Sequence, residues 1–248
     1  MNQLIRTELL KQRTTRVPLA GVCAAPVVAG LLTFAILNLS GKDGNDPLGP
    51  DSLHQVIGGP ADVLTVIAVL LGVLGMAGEF RHQTITTTFL ASPRRRDVVV
   101  AKLIAHSVIG VVMGMLSLAV SVAIAVPWLL ASGVDVRLDD ETARAAAGLL
   151  VATALYGSMG VSIGAVIRNQ TTAAAVVLIW LLAIEGIVGD LLQDASIVEW
   201  LPAAAGGAVA HVDSSGGLGA PAAAGVFVLY VAGFALAGVR LTLNRDIT

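Results

Sequence analysis

The sequence predicts an all-α membrane protein with six transmembrane helices, and three observations carry that expectation. The first is composition. Of 248 residues, 56% are hydrophobic and only 13% are charged, with a mean hydropathy of +0.84. A soluble domain carries about 25% charged residues, so this chain has roughly half the charge that a water-facing surface uses. The second is clustering, because the apolar residues fall into runs near the ~20 residues that cross about 30 Å of hydrocarbon as helix. Strands of a membrane barrel would be about ten residues long and alternating, and these runs are neither. The third is the partition of charge between the connections.

The six runs fall at 17–39, 62–78, 98–130, 143–167, 171–192 and 221–243. The first follows the basic segment MNQLIRTELLKQRTTR. At about 23 residues it exceeds the 7–15 residue core of a signal peptide, so it reads as a retained span. The third is long for one bilayer, which places its start beyond the membrane on the basic side. Connections that alternate sides under this assignment separate the charges. Twelve of fifteen Lys and Arg lie on the side of the termini, leaving Lys42, Arg137 and Arg144 on the other. Lys102 is counted with the basic connection between the second and third runs. Twelve acidic residues, from Asp43 to Asp213, show the opposite bias. The positive-inside rule then predicts cytoplasmic N and C termini.

Residues 1–16 read as an amphipathic interfacial helix, with Met1, Leu4, Ile5 and Leu9 on one face. Residues 17–248 form the six-helix domain. The outer connections GKDGNDPLGPDS and SGVDVRLDDET read as short loops. The segment 193–220 differs: Ile197, Val198, Trp200 and Leu201 precede an Ala/Gly stretch too short to span. One or two short helices lying on the outer surface, or dipping into it, are expected there.

Enzyme signatures are missing. The sequence contains no HExxH, no GxSxG and no phosphate-binding GxxxxGK[ST]. The four His are dispersed, with no i, i+4 pair to seat a metal. An enzyme is therefore disfavoured. Glu185 is the one carboxylate well inside a predicted span, and such a group is usually functional or paired. It lines a path, holds a second copy, or reaches toward the outer surface. His106 reads as a hydrogen-bonded packing residue rather than a proton relay. Gly157, Gly160 and Gly164 offer a small face for close helix approach, within the chain or across a dimer.

The connection EFRHQTITTTFLASPRRRD, residues 79–97, is too long for a turn, too polar to span and too apolar for a linker. Phe80, Ile85, Phe89 and Leu90 offer anchors, Thr84 and Thr86 to Thr88 offer hydroxyls, and Pro93 ends any helix just before it. Arg94, Arg95 and Arg96 suit the headgroup level, and Asp97 can cap the next helix. Such an element either docks a soluble partner or only fixes topology.

ELLKQRTTR, EFRHQTITTTFLASPRRRDVVVAKL and IEGIVGDLL with WLP after it, in that order and spacing, together resemble the permease subunits of ABC-2-type exporters, especially actinobacterial ones. Glu79, Thr84, Pro93, Arg94 and Lys102 match that family's pattern, with Gln83 where it commonly has Gly. The resemblance implies a type V-like permease in which 1–16 is the elbow helix and 79–97 the coupling helix. Glu79, Thr84, Thr86, Thr87, Thr88, Phe89, Leu90, Pro93, Arg94, Arg95 and Arg96 would contact the ATPase. It further implies a permease dimer, with a homodimer favoured, bearing two separate ATPase subunits that bind ATP and Mg. The chain itself would hold no cofactor and meet no nucleic acid. It would reside in the bacterial cytoplasmic membrane, exporting a lipid-like, peptide or hydrophobic drug-like substrate. The competing readings are a non-transporting assembly or immunity factor, and an ion-coupled carrier using Glu185 and His106.

Overall fold

A computed structural model describes residues 1–42, 47–49, 52–84, 95–192, 196–210 and 218–243. Among these residues there is no strand. Ten helices follow in order: α1 Asn2–Thr14, α2 Arg16–Leu39, α3 Ser52–Gly58, α4 Ala61–Arg81 and α5 Arg95–Ala131, then α6 Asp140–Ile167, α7 Gln170–Ile179, α8 Glu185–Leu191, α9 Pro202–Ala210 and α10 Ala220–Leu243. A π-helical turn, Trp180–Ile184, joins α7 to α8, and a 3₁₀ turn, Ser196–Trp200, precedes α9. Six helical stretches are long and apolar enough to cross a membrane: α2, α4 with α3 ahead of it, α5, α6, α7–α8 and α10. They coincide with the six expected runs.

The fourth span, α6, is the hub. It packs along α4, α5 and α10, and also touches α3, α7 and α9. Small residues make this possible. A Cβ on Gly160 would strike the Val69 carbonyl of α4, and one on Gly72 would strike the Gly157 carbonyl of α6, so the two backbones meet directly. Lipid is as apolar as a helix side chain, so association rests on such close contact and on interhelical hydrogen bonds. Among the bonds that tie the bundle are the Ser107 and Ser158 hydroxyls at 2.5 Å, the Ser162 hydroxyl to the Val231 carbonyl at 3.1 Å, and Thr33 to Ser121 at 2.9 Å.

Four details depart from the sequence reading. The loop after the first span carries α3, whose Leu53, Val56 and Ile57 are buried against α5 and α6; their i, i+3, i+4 spacing makes one apolar face. Asp97 lies inside the first turn of α5 instead of ahead of it, where a negative charge suits the helix dipole. Lys102 is no loop cation but sits two turns inside α5, fully buried. In α1 the most buried side chain is Glu8, while Met1 of the expected apolar stripe is exposed.

Candidate functional site

Three helices bring polar residues of matching helical spacing to one place at the basic face. From α1 come Glu8, Lys11 and Gln12; from the last turns of α4 come Gly75 and Glu79; from α5 come Lys102 and His106. Residues three and four apart share a helix face, so each helix presents one short polar stripe. Lys102 Nζ donates to Glu79 Oε1 at 2.6 Å, to Glu8 Oε2 at 2.7 Å and to the Gly75 carbonyl at 3.4 Å. All three ammonium protons have acceptors. Lys11 bonds Glu8 Oε1 at 2.9 Å and Glu79 Oε1 at 3.0 Å. Two carboxylates and two ammonium groups thus close into a network of zero net charge.

Burial alone would raise the Glu8 carboxyl, but Lys102 and Lys11 beside it outweigh that and hold it below the ordinary carboxylate range. Burial likewise acts to lower Lys11, and Glu8 and Glu79 overcome it to raise the ammonium above its usual range. His106, at 1% exposure, completes the junction. Its Nδ1 lies 2.9 Å from the Lys102 carbonyl and its Nε2 3.2 Å from the Gln12 amide nitrogen. One tautomer satisfies both: Nδ1–H donates to the carbonyl and Nε2 accepts from Gln12. The ring fits only because residue 75 is glycine, since a Cβ there would overlap the imidazole. A hollow of about 540 Å³ opens beside the cluster, with Lys11, Glu79, His82 and Thr84 in its lining alongside Val17, Pro18 and Leu74.

Glu79 therefore joins α1 and α5 at the last turn of α4. Four residues on, the chain leaves α4 through Gln83, whose φ of 57° is left-handed. This is the position at which the resembling family commonly has Gly, the residue for which that conformation is unstrained. Thr84 directs its hydroxyl at the Glu79 carbonyl, 3.5 Å away, and Arg96 is exposed on the first turn of α5. Thr86, Thr87, Thr88, Phe89, Leu90, Pro93 and Arg94 lie outside the described residues, and Arg95 is described in its backbone only.

Toward the opposite face, Glu185 is 8% exposed and fully engaged. Its Oε1 accepts from the backbone N–H groups of Ala203 at 2.5 Å and Ala204 at 2.9 Å, and its Oε2 from the Trp180 indole at 2.8 Å. Ala203 and Ala204 are in the first turn of α9, whose N–H groups have no partner within the helix. Glu185 is thus a cap supplied by another helix. It lies six residues before the end of α8, about 9 Å down that helix at 1.5 Å per residue. The start of α9 is equally deep, and α9 packs against Tyr156 and Gly148 of α6. The segment dips into the span layer, where a helix end without acceptors would be costly. Gly157, Gly160 and Gly164 lie at packing contacts within the chain: Gly160 and Gly164 against α4, Gly157 against His106 of α5.

Glu8, Lys11 and Gln12 are the cluster members that sequence reasoning missed, and Glu8 is the most deeply buried of them. A glutamate among Arg and Lys in an amphipathic segment looks like an ordinary solvated residue. The available signal was its spacing: it lies between Ile5 and Gln12 on the face that also carries Leu4.

Six bilayer-length helices around a glycine-packed hub, with the short α9 packed against that hub, define a multi-pass membrane protein. The chain belongs to the ABC-2 transporter family: residues 59–204, more than half its length, match the family model described as ABC-2 family transporter protein. It is accordingly a permease, the membrane component of an ABC transporter. A comparison with curated proteins gives no match.

Proposed function

We propose that this chain is the permease subunit of an ATP-driven exporter, worked through residues 79–97 by a separate ATPase. The buried cluster Glu8–Lys11–Glu79–Lys102 is the observation that carries the reading. A carboxylate at the root of the 79–97 connection is bonded to the interfacial helix on one side and to the third span on the other. A push on the connection therefore reaches α1, α4 and α5 together, because breaking the network would leave buried charge unpaired. Behind α4, the direct backbone packing on α6 carries the displacement into the hub without intervening side-chain slack.

In this reading α1 is the elbow helix, and Glu79, Thr84, the Thr86–Thr88 hydroxyls, Phe89, Leu90, Pro93 and Arg94–Arg96 form the coupling segment. Two ATPase subunits bind ATP and Mg, and two copies of this chain enclose the path. The termini face the cytoplasm and the bilayer is the cell membrane. The largely apolar spans favour a lipid-like, peptide or hydrophobic drug-like substrate over a highly charged one.

The test is reconstitution with the cognate ATPase. Charge reversal at Arg94–Arg96, or bulky replacement of Thr86–Thr88, is expected to separate ATP hydrolysis from transport while membrane insertion stays intact. Normal transport by both variants overturns the assignment of the segment. Transport that persists without ATP hydrolysis, and stops when the proton gradient is collapsed, overturns ATP-driven export itself.

A further inference from the structure

The fifth and sixth spans both lean on α6 but have no packed seam with each other among the described residues; α7 packs on α4 and α6, α10 on α6 and α9. Between them lies a cavity of about 370 Å³. Tyr156, Ile163 and Ile167 of α6 form its floor, with Val177 of α7 on one wall and Phe227 and Phe234 of α10 on the other. Leu201 and Pro202, where α9 begins, close its inner end. The volume is in the range of small-molecule sites, about 300–1,000 Å³.

The lining is apolar by arrangement as well as by residue type. The indole of Trp180, on the wall, gives its N–H to Glu185, and Tyr230, also on the wall, gives its hydroxyl to the Trp200 carbonyl. Their polar edges are thus engaged by the protein. Tyr156 to Ile167 is eleven residues of helix, about 16 Å at 1.5 Å per residue, which is close to half of a ~30 Å hydrocarbon layer. The cavity is as deep as one leaflet.

Its other end meets a polar hollow. Ile167 also lines a second depression of about 390 Å³, walled by Phe80, Arg81, Arg168, Asn169 and Gln170. Arg168 sits at the left-handed end of α6 with its guanidinium carbon 5.5 Å from the centre of the Phe80 ring. Arg81 is exposed on the last turn of α4. The first turn of α7, with Asn169 bonded to the Thr172 N–H, begins between them. Two cations and a helix start at headgroup depth favour phosphate, directly above a slot that favours hydrocarbon.

We propose that this composite site binds an anionic lipid of the bilayer leaflet at the basic face, its acyl chain in the cleft between the fifth and sixth spans and its phosphate at Arg81 and Arg168. A helix about 10 Å across and 16 Å long occupies on the order of 1,200 Å³, well over the cavity's volume of about 370 Å³, so the occupant it suits is a hydrocarbon chain. The site rests on the chain spanning a bilayer with Arg81 and Arg168 at one headgroup layer. It does not rest on ATP-driven export, so the two can fail separately.

The experiment uses the full chain in nanodiscs of equal parts phosphatidylcholine and phosphatidylglycerol, with phosphatidylglycerol carrying a photoreactive group on its acyl chain. Crosslinks are expected at Ile163, Ile167 and Phe234, and unlabelled phosphatidylglycerol should compete better than phosphatidylcholine. Ile163→Trp, which fills the slot, is expected to abolish them. Arg81→Gln, on an exposed side chain that leaves the fold alone, is expected to weaken the preference for the anionic lipid about fivefold, as does Arg168→Gln. Labelling spread evenly over lipid-facing residues such as Leu31 and Leu229 overturns the proposal, as does indifference to headgroup charge. Loss of labelling as the protein is concentrated also overturns it, since a second copy would then cover the cleft.

Discussion

Replacing Lys102 by Met keeps the length and volume of the side chain and removes its charge, which makes it the sharpest perturbation of the cluster. In the native chain Lys102 has 0% exposure and holds two carboxylates at 2.6 and 2.7 Å. The variant leaves Glu8 and Glu79 facing each other with only Lys11, whose side chain is 39% exposed. Breaking a buried ion pair from one side costs about 3–5 kcal/mol. For a chain of this length that corresponds to a fall in Tm of roughly 6–20 °C, measured by thermal unfolding in detergent. The double variant Glu79→Gln, Lys102→Met removes one charge of each sign and leaves Glu8 paired with Lys11 at 2.9 Å, and is expected to recover most of the loss. The same pair of variants separates stability from function: the double variant should fold yet transport poorly per ATP hydrolysed, because α1 is no longer tied to Glu79 by charge. A single variant as stable as the parent would show that Lys102 is not paired in the membrane and would sink the coupling argument.

Three further outcomes are expected. Glu185→Ala strands the N–H groups of Ala203 and Ala204, at about 1–3 kcal/mol each, so the amides of α9 should exchange hydrogen faster; Glu185→Gln, which keeps one acceptor, should be intermediate. Gln83→Gly relieves a left-handed residue that costs about 1–2 kcal/mol; after the entropy that glycine loses on folding, a net gain of about 0.5–1 kcal/mol should appear as a raised Tm. The attachment of α1 should weaken on acidification. Because the Glu8 carboxyl is held below its ordinary 4.5 in the folded state, its contribution is complete above that value and is lost as pH falls through the depressed one. A spin label at exposed Leu10 should gain mobility on acidification below about pH 4.5, and Glu8→Gln should be mobile throughout.

Much of the site is visible in the sequence as parts and not as a whole. Glu79 and Lys102 are each recognisable as belonging to the family pattern, and Gln83 as its departure. Nothing in the spacing of 79 and 102 shows that their side chains meet, because the intervening connection can return the chain at many angles. Glu185 reads as an anomalous charge in an apolar run. Its purpose is set by Ala203 and Ala204, eighteen and nineteen positions later, and they carry no side-chain signal since their backbone makes the bond. The small face of α6 is legible as a pattern, while its neighbour is not: Gly157, Gly160 and Gly164 suit contact with any helix, and it is the crossing at Gly72 that assigns α4.

Six crossings of a bilayer, and their positions, are legible in the order of residues alone, because hydrocarbon thickness and the cost of an unbonded backbone act on each run separately. Charge asymmetry likewise needs no partner to be read. The packing of the helices settles the rest: which polar groups neutralise one another, that α9 lies against α6, and that a slot remains between the fifth and sixth spans. Those features depend on two or more helices meeting at one register, and the energy of such a meeting belongs to the pair.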